Sequence, residues 1–232
     1  GLGTDQLKLT GNSADYLGVE GKLHYEARIK AIPEGGTMNL DNETSTVLSI
    51  KNANSVTLYF VAATNFVNYK DVSADQHARV EDMLAKLANT SFPEIKEKAL
   101  ADYKNYFDRV SLTLGTTPNS NLPTDERMQK IQTTPDPQLA TLYYNFGRYL
   151  LISSSRPGTQ PANLQGIWNN DMNPAWDSKY TTNINTEMNY WPAETANLAE
   201  CATSLFDFLQ GLSANGAKVA AVNYGVSGWC SH

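Results

Sequence analysis

The hydrophobic pattern of the chain changes its period near residue 73, and this change limits the folds that the chain can adopt. Before it, residues 22–31 alternate between apolar and polar side chains without a break. The apolar side chains are Leu23, Tyr25, Ala27, Ile29 and Ala31, and the polar ones are Lys22, His24, Glu26, Arg28 and Lys30. Successive side chains of a strand point to opposite faces, so this segment predicts an antiparallel strand with one buried and one solvated face.

Turn-rich segments separate this strand from two further strand-like stretches, residues 46–50 and 55–63. Pro, Gly and Asn fill the intervening turns, as is usual where a chain reverses direction. The first third of the chain is therefore predicted to belong to a β-sandwich. His24 lies on the polar face of the first strand, which favours a solvated side chain over a catalytic one.

From residue 73 the apolar residues recur at helical spacing instead. Two serines precede these stretches in the pattern of a capping box, Ser73 with Gln76 and Ser91 with Glu94. The apolar positions that follow are Val80, Met83, Leu84 and Leu87 in the first stretch, and Ile95, Ala99, Tyr103 and Phe107 in the second. The pattern predicts two short amphipathic helices that link one domain to the next.

Beyond a polar boundary at residues 116–123 the chain is predicted to be mainly helical. Asp136 is in position to cap a helix whose first residue is Pro137. A wide apolar stripe follows, which predicts that one face of this helix is buried: Leu139, Leu142, Tyr143, Phe146, Tyr149 and Leu150. Residues 155–182 lack periodicity and predict a long functional loop, and residues 203–222 predict a last helix.

Charge and composition exclude several classes of partner and cofactor. A net charge of −6 argues against nucleic acid, because proteins that bind phosphate backbones carry clustered Lys and Arg. The cysteines, Cys201 and Cys230, are expected to be free thiols, and the histidines, His24, His77 and His232, lie too far apart for metal-ligand spacing. We therefore predict no metal and no cofactor. No apolar run approaches the roughly 18 residues that span a bilayer, so no membrane partner is expected either.

Residues 176–194 contain the pattern that points most directly to a ligand. Asn183 and Asn185 are two residues apart, and in an extended backbone both amides face one pocket, where they share a water or a hydroxyl. Aromatic side chains, which suit the apolar face of a pyranose ring, surround the pair. The alternative is a well-packed loop whose Asn side chains satisfy backbone groups.

Four side chains near the pair are the predicted substrate contacts: Trp176, Tyr180, Glu187 and Trp191. Trp168, Trp176 and Trp191 are each more typical of loop packing than of a sugar platform, and Trp176 and Tyr180 are favoured among the aromatic residues because they precede the pair most closely. Glu187 extends the polar face of Asn185 if the backbone stays extended. Four carboxylates flank the pair and could be mistaken for the catalytic acid: Asp171, Asp177, Glu187 and Glu194. We interpret them as structural or supporting groups.

Three segments together resemble glycoside hydrolase family 95, a family of inverting α-L-fucosidases of which some act on α-L-galactosides. They are RYLLISSSR at 148–156, PGTQPANLQGIWNN at 157–170 and YTTNINTEMNYWPAE at 180–194. The resemblance extends to GVEGKLHYEARIKAIPEGG at 18–36, FVNYKDVSAD at 66–75 and LADYKNYFDRVSLTLG at 100–115. It therefore covers essentially the whole chain.

The resemblance implies a multidomain β + α fold and a chain that is a middle portion of a larger enzyme. Residues 1–72 are then the end of an N-terminal β-sandwich domain and residues 73–122 a helical linker. Residues 123–232 are the start of a catalytic (α/α)6 barrel, which is incomplete because twelve helices do not fit in this length.

In the same way, the resemblance implies that Asn183 and Asn185 hold the attacking water. An amide orients water but does not take its proton, so a carboxylate is also required. In the family this Asp and the general acid Glu lie beyond His232. The chain alone is therefore expected to be inactive and to need the remainder of the same polypeptide, and the resemblance also implies export from the cytoplasm.

Two alternatives to an α-L-fucosidase acting on fucosylated glycans stay open at this point. One is an α-L-galactosidase of the same family, since the two sugars differ by a single hydroxyl. The other is a noncatalytic carbohydrate-binding or structural module in which the Asn pair is scaffolding.

Overall fold

A computed structural model describes residues 3–41 and 46–231 of the chain. The chain divides into two compact units, Gly1–Lys98 and Ala99–His232. The first combines small sheets with a helix, and the second is built from helices and irregular segments. This combination agrees with the mixed β and α content that the sequence predicts.

The first unit contains five strands in two antiparallel sheets. They are β1 (Gln6–Asn12), β2 (His24–Glu34), β3 (Thr37–Leu40), β4 (Leu48–Lys51) and β5 (Ser55–Thr64). One sheet has the order β1-β2-β5, and β3 pairs with β4 in a separate hairpin. The strands predicted at 22–31, 46–50 and 55–63 are thus confirmed, with their bounds shifted by a few residues.

The faces of β2 do not have the predicted burial. Glu26 and Arg28, expected on the solvated face, are each 3% exposed, whereas Tyr25, expected in the core, is 38% exposed. The reason is that α1 (Gln76–Leu87) packs over the polar face. The apolar positions of this contact are Val80 and Leu84 of the helix and Val61 of β5. His24 is exposed, as predicted.

The buried charges of β2 are compensated by each other and by partners on α1. The Arg28 Nε donates to Glu26 Oε1 at 2.6 Å, and the Arg28 Nη1 lies 2.8 Å from Glu81 Oε1. The His77 ring nitrogen Nδ1 lies 3.1 Å from Glu26 Oε2. Because a buried ion requires an opposite charge, this cluster explains how a polar face can be covered by a helix.

One of the two predicted capping boxes is wrong and the other is confirmed. The α1 helix is capped by Asp75, whose Oδ1 accepts from the N–H of His77 at 2.8 Å, so Ser73 is not the cap. Asp is as good a capping residue as Ser and stands directly before the helix. Helix α2 (Phe92–Phe107) begins as predicted, because Glu94 Oε2 accepts from the N–H of Ser91 at 2.7 Å.

The second unit is assembled around the α4 helix. Its helices are α3 (Thr124–Lys130), α4 (Pro137–Ser154), α5 (Asn185–Tyr190), α6 (Pro192–Thr195) and α7 (Thr203–Val219), the last followed by a π-helical turn at Ala220–Tyr224. Its largest buried cluster combines the end of α4 with residues from the loop and from the segments around α5 and α6. Its members are Leu151, Ile152, Ala162, Tyr190, Ala193, Ala196, Leu198, Cys201 and Ala202.

Most of the apolar stripe predicted to be buried on α4 is exposed. Leu139 is buried, but Tyr143 is 80% exposed and Phe146 is 51% exposed. The helix turns another side, with Arg148 and Ile152, toward the core. Because α4 is apolar on more than one side, the stripe alone could not identify the side that is covered within this chain.

The start of α4 depends on a buried ion pair that the sequence predicts only in part. Asp136 caps the helix as expected, accepting from the N–H of Leu139 at 3.1 Å. Its carboxylate also accepts from Arg127 Nε at 2.8 Å and from Arg127 Nη2 at 3.0 Å. These hydrogen bonds from Arg127 hold the pKa of Asp136 below its usual range, although burial opposes them.

The Asp136 ion pair should make the stability of the chain sensitive to acid. Because the pKa is lower in the folded chain, the carboxylate stabilises the fold above its unfolded-state pKa of about 4, and this stabilisation is lost as pH falls through the folded-state value. Asp136→Asn keeps a capping side chain but removes the charge. We expect the variant to have a lower Tm near neutral pH and to converge with the wild type as pH falls below about 4 and through the folded-state pKa. Thermal unfolding measured from neutral pH down through this range checks the expectation. Asp207→Asn, at an exposed position on α7, is the control, and its Tm should stay close to that of the wild type at each pH.

Candidate functional site

The segment that carries Asn183 and Asn185 is folded and not extended. Residues 182–184 form a turn, and Asn185 is the first residue of α5. The N–H of Thr186 donates to the carbonyl of Thr181 at 3.0 Å, which closes this turn. The prediction that an extended backbone points both amides the same way is therefore wrong, as is the same argument for Glu187. Asn183, Asn185 and Glu187 are nevertheless all exposed at the start of one short helix.

Tyr180 is engaged in packing within the second unit. Its ring lies against Phe208 with the centroids 4.7 Å apart, and its hydroxyl donates to the carbonyl of Pro161 at 3.0 Å. Burial raises the pKa of Tyr180, and the neighbouring Tyr190 adds to the effect. These contacts anchor the segment that precedes the Asn pair.

Two tryptophans near the pair are open to solvent. Trp176 is 73% exposed, and Trp191, between α5 and α6, is 60% exposed. Trp176 belongs to three consecutive residues in the left-handed region, with φ of 54° for Trp176, 57° for Asp177 and 49° for Ser178. Such a run is costly for residues other than glycine and persists only where the surroundings impose it. The exposed indole of Trp176 thus lies in a strained segment of the backbone.

The four carboxylates that flank the pair all lie at the surface. Asp171, Asp177, Glu187 and Glu194 are exposed. Their interpretation as structural or supporting groups stays a prediction.

A buried hydroxyl network, which the sequence pattern does not reveal, fixes α5 to the rest of the second unit. The Ser155 Oγ donates to the carbonyl of Cys201 at 2.8 Å and lies 2.7 Å from the Tyr190 hydroxyl and 2.6 Å from Ser204 Oγ. The Tyr190 oxygen also accepts from the N–H of Ala162 at 2.8 Å. Since a hydroxyl has one proton and two acceptor positions, Ser155 uses its full capacity. The network joins the end of α4, the loop, α5 and the start of α7.

Removing one hydroxyl from this network should destabilise the chain measurably. Tyr190→Phe leaves the buried N–H of Ala162 without its acceptor, for which we expect a loss of about 1–3 kcal/mol in the free energy of unfolding. Tyr143→Phe is the matched control, because this tyrosine is exposed on α4 and its substitution should change stability by less than about 0.5 kcal/mol. Urea unfolding of both variants measures the difference. Equal stabilities would contradict a structural role of the network.

The parts of the chain that the structure describes contain no cluster of three or more His, Cys, Asp or Glu side chains that could hold a metal ion. His232 lies outside these parts. Cys201 and Cys230 are free thiols, as predicted. Within residues 3–41 and 46–231, no helix has the length and apolar character needed to cross a bilayer.

The second unit lies within a match to a known catalytic domain. Residues 91–232, more than half of the chain, match the model of the glycosyl hydrolase family 95 catalytic domain. The chain belongs to glycoside hydrolase family 95. The family 95 match includes the Asn pair, Trp176, Tyr180 and Trp191, while residues 1–69 match the N-terminal domain of glycosyl hydrolase family 65.

Curated relatives of this family 95 chain are named as fucosidases. The chain is 42% identical over 194 residues to Alpha-L-fucosidase 2 of Arabidopsis thaliana, covering 80% of the chain and 23% of the relative. It is 32% identical over 221 residues to Probable alpha-fucosidase A of Aspergillus niger, covering 90% and 28%. A protein of the same name from Aspergillus oryzae is 32% identical over 200 residues, covering 80% and 27%. The chain thus spans about a quarter of the length of these relatives.

Proposed function

We propose that the chain is part of an exo-acting glycoside hydrolase that removes terminal α-L-fucosyl residues from glycans with inversion. The match of residues 91–232 to the family 95 catalytic domain carries this proposal. The names of the three relatives support the choice of an α-L-fucoside as substrate. Trp176 and the Asn pair that follows it in the chain are all exposed, which supports a sugar site in the second unit, because an indole face suits the apolar side of a pyranose ring.

In the proposed mechanism, Asn183 and Asn185 hold the attacking water. Inversion requires an acid on the leaving oxygen and an activated water on the opposite face of the sugar, with the two catalytic groups roughly 6.5–9.5 Å apart. The amide carbonyls accept hydrogen bonds from the water and fix its direction of attack, but they do not take its proton. A carboxylate must perform that step. We infer that the acid and the base are supplied by additional polypeptide, because the chain spans about a quarter of the length of its relatives.

We infer that this additional polypeptide also completes the two folds, a β-sandwich and an (α/α)6 barrel. Two exposed apolar surfaces support the inference. On the β1-β2-β5 sheet, Phe60 is 68% exposed opposite Ile29, and Leu9 and Leu58 are exposed on the same face. On α4, the apolar stripe is open to solvent. Large apolar surfaces of this kind are usually covered by neighbouring elements.

The experiment that tests the proposed function uses the enzyme in which this chain is joined to the additional polypeptide that its relatives have. We expect hydrolysis of a synthetic α-L-fucoside, with β-L-fucose as the first product in a proton NMR time course. The 232-residue chain on its own should show no turnover. Release of α-L-fucose first would contradict inversion, and turnover by the chain alone would contradict the proposed origin of the acid and the base.

The α-L-galactosidase alternative is decided in the same assay. The substrates differ at C6, where a pocket shaped for a methyl group rejects a hydroxyl only weakly. We expect a higher kcat/KM for the α-L-fucoside. The reverse preference would identify an α-L-galactosidase, and binding of either sugar without turnover by the completed enzyme would favour a noncatalytic module.

A further inference from the structure

Four hydrogen bonds meet at Asn163, in the loop between α4 and α5. Its side-chain Oδ1 accepts from the N–H of Gln165 at 3.0 Å and from Ser178 Oγ at 3.1 Å. Its backbone carbonyl accepts from the N–H of Gly166 at 3.0 Å and from Asn189 Nδ2 at 3.1 Å. One residue therefore contacts its own turn, a second part of the loop and a helix.

The contact with Ser178 reaches the left-handed segment that carries Trp176. Ser178 is the last of the three residues with positive φ, a conformation that is unfavourable for residues other than glycine. A strained segment needs fixed partners to persist. Asn163 supplies one through its side chain, and the N–H of Leu164 supplies another by donating to the carbonyl of Lys179 at 3.3 Å.

The contact with Asn189 reaches the helix that carries Asn185. Asn189 lies in α5, one turn after Asn185. The bond from Gln165 to Asn163 Oδ1 is an Asx turn, which fixes the backbone of Asn163 and so the direction of the carbonyl that Asn189 contacts. The side chain of Asn163 thereby influences both the loop and the helix.

We propose that Asn163 is a positioning residue that holds Trp176 and α5 in register. The proposal rests on the proposed function only for the role of Trp176 as a sugar contact and of Asn185 as a residue that holds the attacking water. Both side-chain hydrogen bonds of Asn163 use Oδ1, and the atom that faces the N–H of Gln165 must be an acceptor. Aspartate offers the same acceptor, so Asn163→Asp should preserve the arrangement, whereas Asn163→Ala should lose it.

Fluorine NMR of the chain labelled with 5-fluorotryptophan tests this proposal without a sugar. The chain has four tryptophans, and Trp→Phe substitutions assign their lines. In Asn163→Ala we expect the lines of Trp176 and Trp191, which follows α5, to shift relative to the wild type. In Asn163→Asp both lines should stay in place. Trp229 is the internal reference, since the N–H of the adjacent Cys230 donates to Gly216 of α7 at 3.3 Å.

Ser178→Ala keeps the test decisive if Asn163→Ala does not fold. This variant removes only the contact to the left-handed segment, so the Trp176 line should shift and the Trp191 line should not. Unchanged lines in Asn163→Ala and Ser178→Ala would overturn the proposal, as would equal disruption by Asn163→Asp and Asn163→Ala. If the lines behave as expected but Asn163→Ala leaves fucoside hydrolysis by the completed enzyme unchanged, the sugar role of Trp176 fails and the positioning role of Asn163 stands.

Discussion

Arg148→Met is expected to lower the free energy of unfolding of the chain by roughly 3–5 kcal/mol. The side chain is 2% exposed, and its guanidinium donates to backbone carbonyls from two segments that are distant in sequence. It donates to the carbonyls of Phe107 at 2.8 Å, Tyr106 at 2.9 Å, Ala196 at 3.3 Å and Val110 at 3.5 Å. Methionine fills much of the volume but leaves these carbonyls without their donor, at about 1–3 kcal/mol for each that stays buried.

Two of these carbonyls lie at the C-terminal end of α2, where the helix leaves acceptors unsatisfied and a positive charge is favourable. Arg148→Lys should therefore restore little of the stability, because one ammonium cannot reach carbonyls that a planar fork contacts in several directions. Arg109→Met is the matched control. Arg109 is 30% exposed and pairs with Glu200, so its loss should change stability by less than about 1 kcal/mol. Urea unfolding of the three variants tests the order, and a loss in Arg148→Met no larger than in Arg109→Met would contradict the role of the buried guanidinium.

Local patterns in the sequence predict most strands and helices of this chain. They are a poor guide to which face of each element is buried. The alternation at residues 22–31 identifies β2 because side-chain direction in a strand is a local property. Burial of Glu26 and Arg28 depends on α1, whose His77 lies about 50 residues later and contacts Glu26. No window of sequence around β2 contains that information. The same holds for α4, where the covered side depends on residues near Ala196 and Cys201.

The candidate site shows the same division between local and distant causes. The sugar site at residues 176–194 stays a prediction that depends on residue type and not on backbone geometry. The backbone itself was not predictable from spacing, since the turn before α5 depends on the contact between Thr181 and Thr186. The hydroxyl network that holds α5 joins Ser155, Tyr190 and Ser204, which are far apart in sequence. The Asp136 cap and the Ser91–Glu94 capping box, by contrast, are local and were predicted correctly.

Asn183→Ala and Asn185→Ala are each expected to lower kcat of the completed enzyme by roughly 100-fold or more. Under the proposed mechanism both amides hold one water, and a water that is misplaced by about 1 Å attacks far less often. Both side chains are exposed, so neither substitution should change Tm by more than a few degrees. Asn215→Ala, at an exposed position of α7, is the control and should retain full kcat. Steady-state hydrolysis of an α-L-fucoside and thermal unfolding measure the two effects separately.

The double variant decides whether the two amides act on the same water. Because Asn183 lies in a turn and Asn185 begins a helix, a common target requires their side chains to converge across the turn and not along a strand. If the two amides share one water, removing either amide already displaces that water. The double variant should then lower kcat by about as much as the single variant with the larger effect. Losses that multiply would show that the amides act independently. A large fall in Tm with little change in kcat would instead assign the pair to the scaffold, since an exposed side chain that holds only water contributes little to folding.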